Sequence, residues 1–169
     1  REDRPSFPIS KEKLPESLVW KNGEEQKMFA SNKAKKGGTS HLFLSTFPTT
    51  FRQRGPNSNS SFRSYLDNND MALVEQQPNT GEYIPSLATA WAVGPDNKTV
   101  YFKLDRDAKW SDGTPVLADD YVFSLKMSRS ASLLAPFTKE YTLKYVQQIL
   151  KFDDYTIAVR LPDEMADLV

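Results

Sequence analysis

Apolar and polar positions alternate most strongly in two stretches of the chain. In residues 98–104, Val100, Phe102 and Leu104 fall on one face and Thr99, Tyr101 and Lys103 on the other; in residues 155–161, Tyr155, Ile157, Val159 and Leu161 share a side. A period of two is the mark of a strand. Residues 40–46 alternate too, with Leu42 and Leu44 opposite His41, Phe43 and Ser45, and predict a half-buried strand. Residues 71–75 fit a short strand and 77–81 a turn, after which 85–91 lead back towards the core. Asp96-Asn97 is a turn between strands, and Asp153-Asp154 a turn signal before the second of the two strongest.

Helical spacing is sparser. Phe62, Tyr65 and Leu66 stand at i, i+3, i+4 and predict a helix from about Ser61, capped by Asn59 or Ser60 and ended by Asn68, Asn69 and Asp70. A second helix opens near Ala118, with Asp119 and Asp120 where the helix dipole favours negative charge, and with Tyr121, Val122 and Leu125 as its buried stripe. Before it, Ser111-Asp112-Gly113-Thr114-Pro115 reads as a turn in which glycine supplies a positive φ. Residues 138–152 fit a helix through Val146, Ile149 and Leu150, and a strand almost as well. Pro162-Asp163-Glu164 starts a helix that continues through Met165 and Leu168. Fewer than three turns make a marginal helix, so the natural protein is expected to run beyond Val169.

Residues 1–36 are polar, with Pro5, Pro8, Pro15 and clustered charges. They read as an extended arm anchored by Leu18, Val19, Trp20, Met28 and Phe29, and Gly37-Gly38 marks its end. The chain opens on Arg1 without a signal-like apolar stretch, as expected of a removed leader or a cut chain.

Totals change this picture by exclusion. At 169 residues with 38% hydrophobic content, the chain suits one compact domain or a lobe of a larger one. Basic and acidic residues balance at 22 each, which gives no long-range attraction to nucleic acid or an anionic membrane. No apolar run is long enough for a transmembrane helix. The absence of cysteine excludes disulfides, thiolate zinc sites and cysteine nucleophiles.

Catalytic constellations are scarce. The single histidine, His41, excludes a His-rich metal site and has no nucleophile beside it in sequence, so a structural or solvent-facing role outweighs a general base. The pairs Asp119–Asp120 and Asp153–Asp154 could suggest glycoside hydrolysis, but helix-dipole and turn roles account for them. Trp91 and Trp110 could stack on a ligand; adjoining patterned strands, both are expected in the core. The loop 52–60 is the better binding candidate. Arg52 and Arg54 offer donors suited to carboxylates, Gly55 permits close approach and Pro56 stiffens the path. From the residues alone, a solvated surface loop is the stronger reading.

A resemblance alters that balance. Residues 84–91 read Ile-Pro-Ser-Leu-Ala-Thr-Ala-Trp. After a turn, residues 99–125 contain the alternating strand, Trp-Ser-Asp-Gly-Thr-Pro at 110–115 and the acidic-started helix. In order and spacing this resembles the family 5 extracellular solute-binding proteins, the dipeptide and oligopeptide receptors of ABC importers. Lys35-Lys36-Gly37-Gly38-Thr39 resembles the family's entry into its first core strand, and Asp153-Asp154-Tyr155-Thr156-Ile157 a later hairpin, which favours a strand over 145–152. Leu18-Val19-Trp20 and the stretch 55–66 are most similar to the Yej-type oligopeptide-binding subgroup. The similarity runs from about residue 14 to the end. Leu117 departs from the Thr or Ser frequent in the family, which removes a side-chain helix cap.

The resemblance implies an α+β, mixed α/β fold: the partial first lobe of a two-lobed periplasmic-binding-protein fold (type II, cluster C), with mixed and antiparallel strands and a few helices. It implies an arm over 1–36 packing on the lobe, part of lobe I over 37–169, and a second lobe and hinge outside this chain. It implies a periplasmic receptor, monomeric at full length and not an enzyme, that binds oligopeptides and delivers them to an inner-membrane ABC permease. No cofactor, metal, nucleic acid or membrane insertion is expected. In relatives the loop before the first helix lines the cleft, and so does an aromatic after the acidic-started helix. Here these positions are Arg54, Gly55, Pro56 and Asn57, with Arg52 beside them, and Phe137. Other ligands on this fold are an oligosaccharide, a metal chelate such as a nickel complex, or a peptide-like antibiotic; a sensor domain could also use it.

Overall fold

A computed structural model describes residues 4–27, 29–35, 37–58 and 60–164. The anchor expected at Met28, the cap expected at Asn59 and the helix through Met165 and Leu168 lie outside them.

Four antiparallel strands make the central sheet, in the order β3 (Ala88–Val93), β4 (Thr99–Leu104), β6 (Thr156–Arg160), β5 (Gln148–Lys151). The two strongest alternating stretches become the central pair. Phe102 lies opposite both Trp91 and Ile157, and Tyr101 opposite both Ala92 and Ala158. Because side chains alternate, this register sorts the core into two faces. Trp91, Val100, Phe102, Leu104 and Ile157 cluster on one side with Ala118, while Tyr101, Leu150 and Ala158 cluster on the other. Ile157 is fully buried, so its truncation to alanine would cost ~2–5 kcal/mol. A β1 (Val74–Gln76) and β2 (Tyr83–Pro85) hairpin flanks the sheet, and its turn over 77–81 is closed by Gly81 N–H donating to the Gln77 carbonyl at 2.8 Å.

The β3–β4 turn is built by Asp96. Its carboxylate accepts from the N–H groups of Lys98 and Thr99 and from the Thr99 hydroxyl, at 2.6–3.2 Å. Burial pushes the Asp96 carboxyl upward, but these donors more than offset it and hold it below the usual carboxylate value.

Each face of the sheet has its own cover. Helix α2 (Ala118–Arg129) meets the Trp91 face through Ala118 and Tyr121. Ala118, Asp119 and Ser128 are its buried residues; Tyr121, Val122 and Leu125, expected to be buried, are only partly so. Leu117 provides no side-chain cap, but Asp120 reaches back to accept from the Leu117 N–H at 2.9 Å, which satisfies one end-group of the helix.

The other face is crossed by residues 10–21. Ser10 N–H donates to the Lys151 carbonyl at 2.6 Å on the β5 edge, and Lys21 and Trp91 exchange two backbone hydrogen bonds on the β3 edge. Between these points Glu12 pairs with Arg160 of β6 at 2.6 Å, and the Lys103 ammonium of β4 lies 4.3 Å from the Trp20 ring centroid. Leu18 and Trp20 pack on the Tyr101 cluster, whereas Val19 and Phe29, also expected as anchors, are exposed. Both sheet edges thus carry a backbone contact from this segment, which protects edges that would otherwise invite pairing with another chain.

Three further expectations change. Residues 40–46 form no strand, and Leu42 and Phe43 are largely exposed. Alternation supplies a face but not a partner, and no strand of the described residues pairs with this one. The helix expected from Ser61 is short, α1 (Arg63–Asp67), with Phe62 rather than a polar residue at its N-cap and Asn68 at its C-cap. Residues 138–152 divide into α3 (Pro136–Tyr145) and β5, so the strand expected over 145–152 forms, preceded by a helix that starts with proline at its first position.

Candidate functional site

A cleft of about 1000 Å³ separates the loop before α1 from the start of α3. The loop contributes Arg54, Gly55 and Pro56; α3 contributes Pro136, Phe137 and Tyr141. Four of the six residues singled out in the sequence therefore face one space. Arg52 and Asn57 flank the cleft without lining it: Arg52 is exposed, and Asn57 turns the chain with φ 61°.

The loop approaches α3 closely because residue 55 is glycine. Its φ is +100°, and a Cβ there would sit 3.3 Å from the Leu134 carbonyl oxygen. Ser58 N–H closes a turn onto the Gly55 carbonyl at 3.3 Å. From below, Arg63 of α1 donates through Nη1 to the Gln53 carbonyl and through Nε to Asp67 at 2.6 Å. Gln53 also donates through Nε2 to Asp70 at 2.6 Å. The backbone next to Arg54 is thus held by two side chains. Arg54 itself donates through Nη1 to the Ser128 hydroxyl of α2 at 3.3 Å. That hydroxyl donates in turn to the Ser124 carbonyl at 2.7 Å, so its proton is used and it serves Arg54 as a neutral acceptor.

The opposite wall is aromatic. Phe137 is 78% exposed and Tyr141 is 53% exposed, their ring centroids 6.3 Å apart, with the Tyr145 ring a further 4.7 Å along and tilted by 48°. This spacing of i, i+4, i+8 puts the three rings on one side of α3. Arg129 at the end of α2 secures the far end of that helix by donating to the carbonyls of Thr142, Val146 and Gln147, a cation placed where the helix dipole is negative. Tyr141, Ser128, Arg63 and Arg129 were not singled out in the sequence. Only the Phe137–Tyr141–Tyr145 spacing carried a signal there; the others depend on contacts across the fold.

The remaining candidates are occupied structurally. Trp91 is buried, but Trp110 is half exposed, against expectation, because its indole N–H is tied to Asp120 at 3.0 Å at the mouth of the turn. Asp119 faces Lys151 and Asp120 faces Arg4. Asp153 accepts from the Tyr155 N–H at 2.7 Å and the Thr156 hydroxyl at 2.9 Å. His41 is exposed. Among the described residues no cluster of three His, Cys, Asp or Glu side chains is placed to hold a metal, and no helix is long and apolar enough to cross a membrane.

The chain is 43% identical over 65 residues to the periplasmic murein peptide-binding protein MppA of Escherichia coli, covering 38% of this chain and 12% of that protein. It is 32% identical over 107 residues to the dipeptide-binding protein DppE of Bacillus subtilis, covering 62% of this chain and 19% of that one. Among solved structures it is similar to OppA of Haemophilus influenzae in complex with RPPGFSPFR, at 29% identity and TM-score 0.49, covering 57% of this chain and 21% of the other. The chain therefore spans less than a quarter of the length of these relatives. Residues 82–169, just over half of the chain, match the family described as bacterial extracellular solute-binding proteins, family 5 Middle; the span includes the 110–115 turn and Phe137 but not the 52–57 loop. By that match the chain belongs to the family 5 bacterial extracellular solute-binding proteins.

Proposed function

We propose that this chain forms part of the first lobe of a Yej-type receptor that binds oligopeptides in the periplasm and presents them to the inner-membrane permease of an ABC importer. The receptor is a monomer and not an enzyme. The observation that carries the reading is the cleft in which Arg54, Gly55 and Pro56 face Phe137 across open space, in a member of a solute-binding family whose relatives are named for murein peptides, dipeptides and oligopeptides.

The chemistry suits an extended peptide. The glycine-containing loop offers backbone groups for main-chain hydrogen bonds, which tolerate any sequence, and the aromatic wall offers apolar surface for side chains of varied shape. The cleft is open, so closure over a bound peptide requires parts of the receptor beyond these residues. A half-site forfeits the desolvation that closure brings, and the 169-residue chain is expected to bind short peptides only weakly, with Kd near ~1 mM.

An amide NMR titration of the chain with Ala-Ala-Phe tests the reading. Shifts concentrated at residues 53–58 and 137–142 are expected. Shifts confined to other surfaces, or none at millimolar peptide, would remove the cleft as the peptide site, and micromolar or tighter affinity by calorimetry would refute the half-site argument.

A further inference from the structure

The charges around the cleft are not equivalent. Arg63 is satisfied by Asp67 and the Gln53 carbonyl. Asp67 is the acidic residue on the cleft wall, and that ion pair occupies it. Among the described residues Arg54 meets only the Ser128 hydroxyl, and no carboxylate lies within ion-pair distance of it. The lining thus carries one compensated cation and one uncompensated cation. The uncompensated one sits on a backbone held by Arg63 and by the Gly55 approach to Leu134.

A guanidinium with most of its N–H groups free is matched by a carboxylate, which accepts two parallel hydrogen bonds from it. Phe137 and Tyr141 face it across the same space and supply apolar area but no charge. We infer that the cleft selects its peptide by charge and shape together: a carboxylate on Arg54, with an apolar or aromatic side chain of the same peptide against Phe137 and Tyr141. Arg54 is the specificity-determining residue of this pair of contacts. The inference rests on the peptide-binding reading above and adds to it a ligand preference. A peptide offers such a carboxylate either at its C-terminus or on an Asp or Glu side chain.

Four peptides separate these sources in NMR titrations of the full chain: Ala-Ala-Phe as the free acid, Ala-Ala-Phe amide, Ala-Glu-Phe amide and Ala-Gln-Phe amide. The free acid is expected to bind about fivefold more tightly than its amide, the scale of an exposed ion pair. If an acidic side chain serves equally, Ala-Glu-Phe amide regains that factor and Ala-Gln-Phe amide does not; if only the C-terminus serves, neither amide regains it. Arg54→Gln is expected to abolish the discrimination by lowering the affinity of the free acid to that of its amide, and Arg54→Lys to restore part of it. Equal affinity for all four peptides, or discrimination that survives Arg54→Gln, overturns the inference and leaves the peptide site standing. Absence of shifts in the cleft with every peptide removes both.

Discussion

The most exacting test of the packing is Lys151→Met. Lys151 is 6% exposed at the end of β5, on the α2 side of the sheet, and its ammonium sits 2.8 Å from Asp119, whose side chain is 8% exposed. A second carboxylate, Asp154, lies 3.0 Å away but is largely in water. Burial works to lower the Lys151 pKa, but the hydrogen bonds that its ammonium donates to both carboxylates overcome it and raise it above the ordinary lysine value. Methionine keeps most of the volume and removes the charge, so the change measures electrostatics rather than a cavity. Removing one partner of a buried pair costs ~3–5 kcal/mol, because the other charge is stranded. Asp119 is not stranded completely: its Oδ1 accepts from Phe7 N–H at 2.9 Å, and it sits in the first turn of α2, where the dipole favours an anion. The lower end, about 3 kcal/mol, is therefore expected, a large part of the ~5–15 kcal/mol that holds a typical domain.

Urea unfolding followed by the fluorescence of buried Trp91 would register this as a fall in midpoint of about 1.5 M, for a slope near 2 kcal/mol per molar. The double variant Asp119→Leu, Lys151→Met should recover more than half of the loss, since it leaves no buried charge behind. The sign with pH is fixed by the direction of the shift. A lysine raised above its unfolded value stabilises fully below that value and loses the contribution as pH rises through the folded one. The gap between wild type and Lys151→Met should therefore be constant near neutrality and narrow in strong alkali. A loss under 1 kcal/mol at neutral pH, or a double variant as unstable as the single, would refute the reasoning.

Gly55→Ala should cost about 1–3 kcal/mol and push the loop away from α3, because φ +100° and the Leu134 carbonyl both oppose a Cβ; amide shifts at 53–58 and 134–137 report it. Arg129→Met should cost ~1–3 kcal/mol by removing its charge-assisted bonds to the carbonyls of Thr142 and Val146, and hydrogen exchange should accelerate in the last turn of α3 while the central sheet stays protected. Glu12 is held below the usual carboxylate range first by its hydrogen bond from Arg160, so the pair stabilises above that range and is lost as pH falls through the lowered value. With Glu12 half exposed, Glu12→Gln should cost under ~1 kcal/mol at pH 7, and urea midpoints of the two proteins should converge in acid.

The parts of the fold legible in the sequence were those whose burial is itself periodic. Residues 99–104 and 156–160 are central strands, and their alternation separates two buried faces. A strand before the 96–97 turn was implied, but the bounds of β3 were not legible, because Ala-Thr-Ala-Trp-Ala-Val carries small residues of modest β propensity and its pairing with β4 sets them. Helix α3 was hidden for the opposite reason. Its aromatic side faces the cleft instead of the core, so no buried stripe marks it. Residues 40–46 show the converse error, a strand pattern without a pairing strand. In the cleft, Arg54, Gly55 and Pro56 were candidates by their own chemistry that the resemblance raised, and Phe137 came from resemblance alone, whereas Arg63, Ser128 and Tyr141 needed the tertiary structure, because their roles depend on which carbonyl or ring lies opposite. Trp110 misled because an aromatic beside strands is usually buried, and nothing local announces an Asp120 able to hold its N–H at the surface.

Helix α2 links these observations physically. Its first turn holds the N-terminal arm, through Asp119 to Phe7 and Asp120 to Arg4. Its last turn holds both walls of the cleft, through Ser128 to Arg54 and Arg129 to the end of α3. Nine residues of α2 separate Asp119 from Ser128 and Asp120 from Arg129, so the two sets of contacts stand roughly 14 Å apart along continuous backbone hydrogen bonding. The walls are nevertheless held unequally. Arg129 fixes α3 with charge-assisted bonds to several carbonyls, whereas Arg54 meets α2 through one 3.3 Å bond to a neutral hydroxyl. A ligand carboxylate offers Arg54 a stronger partner than Ser128 does. On the proposed function, Arg54 is therefore the side chain that changes partner when a peptide carboxylate arrives, while Arg63 keeps the loop backbone in place and Arg129 keeps the aromatic wall of α3.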